Sequence, residues 1–232
     1  MNIGNDMKTE NSNVEQAVSK IVTEVYETFT PEQRGVIGQT LHLIAAKGSP
    51  VDPDEISTRL QVSLDEVRST LKKFGSEFNH EGRIVGLGLT LIPTQHVFEI
   101  NSRKMYVWCA ADALAFPVIL NQTARIESSD PVTGKKIRVI VTPEKIDKIE
   151  PTTVVVSFIK NMDTTNIRGT ICNNINFFSS SETASEWAAG HPNVTLYRAN
   201  DIYRELKHIH LSKYRDFMIH SSKQEEKGCG RC

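Results

Sequence analysis

Cysteine is scarce in this sequence of 232 residues, and neither sign of charge dominates it. There are four cysteines, and 27 Lys plus Arg stand against 28 Asp plus Glu. Four cysteines are too few to form the disulfide framework that small secreted domains use. The balanced charge lacks the basic excess that is typical of nucleic-acid-binding proteins. We therefore expect reduced thiols, and a nucleic-acid partner is disfavoured.

Long apolar runs are also missing. The longest, residues 113–120, is far shorter than the ~20 residues that span a bilayer, and Pro117 interrupts it. The first residues are polar and rich in asparagine, without the basic start and apolar core of a secretory signal. The sequence therefore predicts no membrane segment and a cytoplasmic location.

Several catalytic signatures are absent from the sequence as well. It contains no G-x-S-x-G, no G-x-x-x-x-G-K-[ST] and no G-x-G-x-x-G, and its seven histidines form no H-E-x-x-H. Gly86 and Gly88 fall inside a strand pattern, where we expect a bulge. Nucleotide chemistry and zinc-dependent hydrolysis are not indicated. With 39% hydrophobic and 24% charged residues, the chain has the composition of a packed globular protein.

Helical patterns dominate the N-terminal part of the chain. Residues 1–13 are polar and without periodicity, which predicts a disordered tail. An apolar stripe at three- and four-residue steps then runs from Val14 to Phe29, as one helix face requires. Three further helices have marked starts, because Thr30, Asp52 and Ser63 each precede Glu or Gln by three residues. These three helices resemble a helix-turn-helix.

Strand patterns dominate the middle of the chain. Alternating or β-branched runs, separated by turn residues, predict a β-meander and then further strands. The predicted strands cover residues 84–91, 96–100, 105–108, 124–128, 137–142 and 154–159. A strand at 174–178 and helices at 183–189 and 202–218 complete the prediction.

The most informative segment runs from Tyr106 to Pro117. Cys109 falls at a predicted strand-to-helix junction, and Asp112, three residues later, lies on the same helix face. A thiol at a helix N-terminus gains thiolate character, so this thiol and carboxylate have the makings of a reactive pair. Cys109 as a buried small hydrophobe, with Asp112 as a helix cap, is the structural alternative.

The other three cysteines are harder to interpret. Cys172 lies 63 residues after Cys109, since 172 − 109 = 63, and the spacing does not show whether folding unites them. Cys229 and Cys232 form a C-x-x-C at the end of the chain, without the βαβ context of a redox motif or the second ligand pair of a zinc site. Two interpretations of this cysteine pair remain open: a mobile segment that binds soft metals, and a tail without function.

Taken together, these segments resemble the alkylmercury (organomercurial) lyases, over roughly residues 30–190. The segments that carry the resemblance are G-L-G-L-T-L at 86–91, V-F-E-I at 97–100, Y-V-W-C-A-A-D at 106–112, F-P at 116–117, T-A-R at 123–125 and V-T-P at 141–143. Cys172 before Phe177 and Phe178, with Trp187 following, continues the match. Two familiar features are missing, because Asn173 stands where a second cysteine often follows, and Asn174 and Asn176 stand where histidines do.

The resemblance implies a site and a fold. Cys109 and Cys172 would be the paired thiols that bind mercury, and Asp112 the carboxylate. The resemblance carries nothing over to Cys229 and Cys232, which lie beyond the shared core, and auxiliary mercury handling by this pair is a separate option. The implied fold class is α+β, a helical winged-helix-like region followed by a β-rich lyase core with short helices. The predicted divisions are a disordered tail at 1–13, the winged-helix-like region at 14–100, the lyase core at 101–220 and a flexible cysteine-containing tail at 221–232.

The implied activity is protonolysis of a carbon–mercury bond, in mercury detoxification. Thiolates are the softest protein ligands for a soft metal, and an acid beside them can protonate the leaving carbon. Asp112 would need a raised pKa, which we expect Tyr106, Trp108 and Phe116 to cause by excluding water. The implied partners are the organomercurial substrate, small exogenous thiols and a mercuric reductase, with no resident cofactor. The alternative is a thiol-based, mercury-responsive DNA-binding regulator.

Overall fold

The computed structural model describes residues 3–163 and 165–213, and this part of the chain contains eight α-helices and eleven strands. The helices are α1 (Ile3–Glu27), α2 (Pro31–Lys47), α3 (Pro53–Leu60), α4 (Leu64–Phe74), α5 (Ala110–Ile119), α6 (Ile167–Thr170), α7 (Ser181–Ala188) and α8 (Ala199–Lys213). The strands are β1 (Glu77–Phe78), β2 (Ile84–Leu87), β3 (Leu89–Thr90), β4 (His96–Ile100), β5 (Arg103–Val107), β6 (Ala124–Ser129), β7 (Lys136–Val141), β8 (Ile146–Glu150), β9 (Val155–Ile159), β10 (Phe177–Phe178) and β11 (Val194–Arg198). The mixed helix and sheet class is confirmed. No helix within the described ranges has the length and apolar character needed to cross a bilayer.

The three marked helix starts are confirmed by their hydrogen bonds. Thr30 Oγ1 accepts the Gln33 N–H at 3.3 Å, and the Gln33 side chain accepts the Thr30 N–H. Asp52 and Ser63 accept backbone N–H groups of α3 and α4 in the same way. Each cap satisfies donors that the first helical turn leaves unpaired, which fixes where α2, α3 and α4 begin.

The first helix is longer than the sequence predicts. The apolar stripe starts at Val14, and residues 1–13 are predicted as a disordered tail, but α1 begins at Ile3. Val14, Val18 and Ile21 are buried, so the predicted stripe does form a packed face of α1. Once a helix is nucleated, each added residue gains one hydrogen bond, and no proline stands between 3 and 13 to stop it.

An eight-stranded antiparallel sheet forms the centre of the fold, in the order β1-β2-β3-β5-β4-β6-β7-β8. It crosses residue 100, where the sequence places a division between regions. The predicted strand at 84–91 is split, because Gly88 has a φ of 75° and turns the chain between β2 and β3. Gly88 therefore forms a tight turn, while the expected irregularity lies at Gly86, where the pairing of β2 with β1 shifts its register. The Asn101 and Ser102 turn is confirmed, with positive φ at both residues.

A second, three-stranded sheet has the order β10-β9-β11. Helix α8 packs against α1 and α5, and so closes the space between this sheet and the N-terminal helices. Strands β1, β8 and β11 were not predicted. The predicted helix at 202–218 corresponds to α8, which begins at Ala199; residues 214–218 lie outside the described part of the chain.

Candidate active site

Cys109 lies at the junction between strand β5 of the main sheet and helix α5. Strand β5 ends at Val107, Trp108 follows, and Cys109 is the N-cap residue of α5 with extended backbone (φ −151°, ψ 171°). Its sulfur accepts the backbone N–H of Asp112 at 3.4 Å. This confirms the predicted strand-to-helix junction and makes Cys109, instead of the usual serine or aspartate, the cap of this helix.

Asp112 shares the helix face of Cys109, as their spacing predicts. The Cys109 thiol donates to Asp112 Oδ2 at a sulfur–oxygen distance of 3.2 Å. The two side chains are therefore in contact without any rearrangement. The alternative in which Asp112 is the cap is wrong, because the cysteine sulfur performs that role for the Asp112 N–H.

Folding brings Cys172 to the same place, which sequence spacing did not show. Cys172 begins a 3-10 turn, Cys172–Asn174, directly after α6. The Ala110 N–H donates to the Ile175 carbonyl at 3.0 Å and joins this turn to the start of α5. The Cys109 sulfur, the Cys172 sulfur and an Asp112 carboxylate oxygen all lie within 4.8 Å of one another. Both cysteines are buried free thiols.

Burial sets the protonation of the three groups. Burial raises the pKa of Cys109 well above its ordinary value, and the hydrogen bond with Cys172 and the charge of Asp112 add to this. The Cys109 hydrogen bond lowers the pKa of Cys172, but burial and the Asp112 charge outweigh it, so that pKa too is raised. Burial raises the pKa of Asp112 to about 6. The site therefore favours neutral thiols until a soft metal displaces their protons.

A cavity of about 840 Å³ opens from these three residues. Trp108 and Phe116 line it, as predicted, but Tyr106 does not. The Tyr106 ring lies instead beside the exposed Lys104, whose Nζ is 5.7 Å from the ring centroid. The expectation that Tyr106 desolvates Asp112 is therefore wrong.

The N-terminal helices supply much of the cavity wall, which the sequence did not predict. Phe29, Phe74 and residues of α1 and α2 line the space opposite α5. His42 and His210 also line it, and burial lowers the pKa of both imidazoles, that of His210 to about 4. Both are neutral at pH 7, and the wall is mainly apolar around the two thiols.

The asparagines after Cys172 stabilise the turn that carries it. Asn174 Nδ2 donates to the Thr170 carbonyl at 3.0 Å, and Asn176 Nδ2 donates to the Asn173 carbonyl at 3.3 Å. These bonds tie the 3-10 turn to itself and to α6. Asn174 and Asn176 thus have a structural role in this chain. They occupy the positions at which the family resemblance implies histidines.

A family model described as alkylmercury lyase matches residues 89–206 of this chain. The matched segment contains Cys109, Asp112 and Cys172. The alkylmercury lyase of Bacillus cereus is 34% identical over 211 residues, which are 90% of this chain and 95% of that protein. The chain belongs to the alkylmercury lyase family.

Two further alkylmercury lyases are similar over shorter stretches. That of Pseudomonas putida is 37% identical over 178 residues, covering 76% of this chain and 84% of its own length. That of Staphylococcus epidermidis is 36% identical over 165 residues, covering 71% and 76%. A crystal structure described as the mercury-bound form of MerB2 has a TM-score of 0.71 at 24% identity, and covers 88% of this chain and 99% of that one. This likeness shows a shared fold.

The other predicted site residues are not tested by the geometry. Cys229 and Cys232 lie outside the described residues and outside the segment that the family model matches. Arg168, four residues before Cys172, forms an ion pair with Glu77 of β1. None of the quoted segments that carry the family resemblance contains Glu77, because the first of them begins at Gly86.

Proposed function

We propose that this protein is an organomercurial lyase, which cleaves a carbon–mercury bond by protonolysis to give a hydrocarbon and Hg(II), in mercury detoxification. The observation that carries the proposal is the contact set of Cys109, Asp112 and Cys172, whose ligand atoms lie within 4.8 Å of one another. Two thiols and one acid are the groups that such a reaction needs, and they meet at an apolar cavity.

The two thiols bind the substrate mercury. Mercury is a soft ion, and thiolate is the softest ligand that a protein offers, whereas carboxylate is a hard ligand. The mercury of an organomercurial thiolate already has two ligands, carbon and sulfur. Exchange of that sulfur for one cysteine, followed by attack of the second, makes the mercury three-coordinate and moves electron density onto carbon. The carbon–mercury bond is thereby weakened.

Asp112 carries the proton. A thiol loses its proton when it binds a metal, and Asp112 Oδ2 already accepts a hydrogen bond from the Cys109 thiol. The pKa of Asp112, raised to about 6 by burial, suits a group that takes a proton from sulfur and gives it to carbon near neutral pH. One thiol proton ends on the hydrocarbon and the other on the displaced small thiol, so the reaction balances.

Hg(II) then remains on Cys109 and Cys172, with Asp112 as a weak third contact. Small exogenous thiols, or the thiols of a mercuric reductase, would remove it by exchange. This scheme requires no resident cofactor. It also requires reduced cysteines, which the free thiols of Cys109 and Cys172 support, and we therefore assign the reaction to the cytoplasm. Cys229 and Cys232 are proposed as auxiliary ligands that receive mercury on its way out.

We assign the N-terminal region a winged-helix-like arrangement that covers the cavity beside Cys109 and Cys172. Helices α2, α3 and α4 followed by the antiparallel pair β1 and β2 support it, as does the bridge between Val51 and Ile84. DNA binding is not favoured for this region. Lys73 of α4 donates to the Thr28 carbonyl at 2.6 Å and lies 4.9 Å from the Phe29 ring centroid, so its charge is used within the protein.

The deciding experiment mixes purified full-length protein with phenylmercury and excess cysteine, and measures benzene by headspace gas chromatography. We expect benzene in amounts exceeding the enzyme, without DNA. A parallel gel shift over a range of salt concentrations tests the regulator alternative. A salt-dependent shift of duplex DNA together with no benzene would replace the lyase proposal by the regulator.

A further inference from the structure

We propose that Glu77 is a positioning residue that holds the two cysteine-bearing segments at the separation that mercury requires. The proposal rests on the function proposed above, because it assumes that Cys109 and Cys172 act on one mercury atom. Glu77 lies on β1, in the N-terminal region, and before the segment 89–206 that the family model matches.

The carboxylate of Glu77 has three partners. Its Oε2 accepts the Trp108 indole N–H at 3.1 Å and the Thr90 hydroxyl at 2.6 Å. Its Oε1 forms an ion pair with the Arg168 guanidinium. The Glu77 side chain is only 13% exposed, so the charge is shielded from water. A buried carboxylate is costly unless its oxygens are satisfied, and here both are.

Two of these partners belong to the segments that carry the thiols. Trp108 directly precedes Cys109, and Arg168 lies on α6, one helical turn before Cys172. The guanidinium carbon of Arg168 also lies 5.0 Å from the Trp108 ring centroid. Glu77, Trp108 and Arg168 therefore form a closed triangle, in which each member contacts the other two. This triangle joins the start of α5 to α6, in addition to the link that the Ala110–Ile175 hydrogen bond provides.

The backbone beside Glu77 leaves space for this carboxylate. A Cβ added at Gly86, which pairs with Glu77 across β1 and β2, would overlap Glu77 Oε2 and would lie 2.6 Å from Thr90 Oγ1. Any larger residue at position 86 would push the carboxylate away from Trp108. Because Gly86 has no side chain, the space beside it is free for the carboxylate of Glu77.

The consequence is a fixed distance between two sulfurs on separate loops. Without Glu77, Arg168 has no described carboxylate partner and the Trp108 N–H is left buried without its acceptor, so the two loops are free to separate. Misplacement of a reacting group by about 1 Å can cost on the order of 100-fold in rate. Hg(II) would then be held by one thiolate in place of two.

The test compares Glu77→Gln with Asp130→Asn. Asp130 is a second buried carboxylate, which accepts hydrogen bonds from Ser179 and Thr183 and does not line the cavity, so it is a matched control for loss of a buried charge. Equilibrium retention of Hg(II) against competing dithiothreitol is measured by metal analysis after desalting, and kcat and KM are measured for phenylmercury. Thermal unfolding is recorded for each variant.

We expect Glu77→Gln to release Hg(II) at about one tenth of the dithiothreitol concentration that wild type requires. Its kcat should fall at least about tenfold, with a smaller change in KM. Asp130→Asn should lower the melting temperature and leave both quantities unchanged below it. Glu77→Asp, which keeps the charge, should recover part of the Hg(II) retention. If Glu77→Gln does not fold, Arg168→Gln replaces it in the test, because the Arg168 side chain is 39% exposed. This variant should also weaken Hg(II) retention and lower kcat.

The combined variant Glu77→Gln with Arg168→Gln separates positioning from general destabilisation. Residues that act as one unit are not additive, so the double variant should lose no more kcat than Glu77→Gln alone. Wild-type Hg(II) retention and kcat in folded Glu77→Gln, or strictly additive losses, would overturn the proposal. A wild-type protein that releases no benzene, while Glu77→Gln still loses Hg(II) retention, would overturn the proposed function and leave the positioning role standing.

Discussion

The Cys109 sulfur bonds twice to one residue: it donates to Asp112 Oδ2 at 3.2 Å and accepts the Asp112 backbone N–H at 3.4 Å. The helix start therefore fixes the sulfur, and the carboxylate accepts the hydrogen bond of the thiol. The same residue that orients the nucleophile is placed to store the proton that the product needs.

Asp112→Asn should separate binding from protonation. The backbone N–H that orients Cys109 is retained, and both thiols remain, so the variant should still bind phenylmercury. An amide cannot take the thiol proton and deliver it to carbon, so we expect the single-turnover rate to fall by about 100-fold or more. Rapid-quench measurement of benzene checks this. A single-turnover rate equal to wild type would mean that the proton reaches carbon from another donor.

The raised pKa of Asp112 also predicts a pH dependence of stability. A carboxyl whose pKa rises from 3.8 to about 6 on folding stabilises the fold when protonated, and this contribution is lost as the pH rises through 6. The shift corresponds to roughly 3 kcal/mol. Relative to wild type, Asp112→Asn should therefore gain free energy of unfolding between about pH 4 and pH 7.

Urea denaturation of both proteins across this range measures the difference. Taking the difference between the two proteins removes the contribution of other acids. One of these is Asp130: burial raises its pKa, but its hydrogen bonds with Ser179 and Thr183 outweigh burial and lower it. A difference that does not change with pH would show that the Asp112 carboxyl titrates as it does in the unfolded chain.

Cys109→Ser and Cys172→Ser should each abolish benzene release. A serine hydroxyl is a hard and weakly acidic group, so each variant offers mercury one thiolate and cannot form the three-coordinate species. Both positions are buried, and serine is similar in size, so folding should be retained; circular dichroism provides the control. Turnover close to wild type in either variant would remove that cysteine from the reaction.

Part of the site was predictable because its residues are neighbours in the chain. Asp112 lies three positions after Cys109, and a helix brings residues at that spacing onto one face whatever the rest of the fold does. Cys172 has no such local relationship. Long-range contacts place it, among them the pairing of β9 with β10, the bond from Ala110 to Ile175 and the ion pair of Arg168 with Glu77. Its role came from the family resemblance alone.

The three missed strands, β1, β8 and β11, each lie at the edge of a sheet. Strand β8 reads I-D-K-I-E and lies at the edge of the large sheet, where charged residues are tolerated because one side faces solvent. It therefore lacks the apolar alternation of an inner strand. The start of α7 differs from the prediction for another reason: the predicted helix begins at residue 183, but Ser180 caps α7 and the Thr183 hydroxyl bonds to Asp130.

Removal of residues 229–232 should leave benzene release unchanged. The three proposed catalytic residues and every described residue of the cavity wall lie before residue 213, so we expect that the reaction does not need the terminal cysteines. Transfer of Hg(II) from the protein to a dithiol should slow, because two exchange ligands are lost. Stopped-flow transfer to a chromophoric dithiol measures this, with the full-length double substitution Cys229→Ser and Cys232→Ser as control. A collapse of benzene release would place the tail in the reaction.

The cavity between α5 and the N-terminal helices should set how large an organic group is accepted. Gly35 of α2 lines it, and an added Cβ there would have no described atom within 4 Å, so a larger side chain can extend into the open space. Gly35→Leu should lower kcat/KM for naphthylmercury and phenylmercury by about tenfold and leave methylmercury nearly unchanged, since a lost apolar pocket contact is worth ~1–3 kcal/mol.

The matched control is Gly190→Leu, after α7, where an added Cβ would lie at an ordinary 3.8 Å from the Trp187 carbonyl, away from the cavity. Gly35→Ala serves as a second control, because it should stabilise α2 by about 0.5–1 kcal/mol without filling the space. Equal losses for methyl- and naphthylmercury in Gly35→Leu would indicate general damage to the fold, and the organic group would then have to lie on another side of the two thiols.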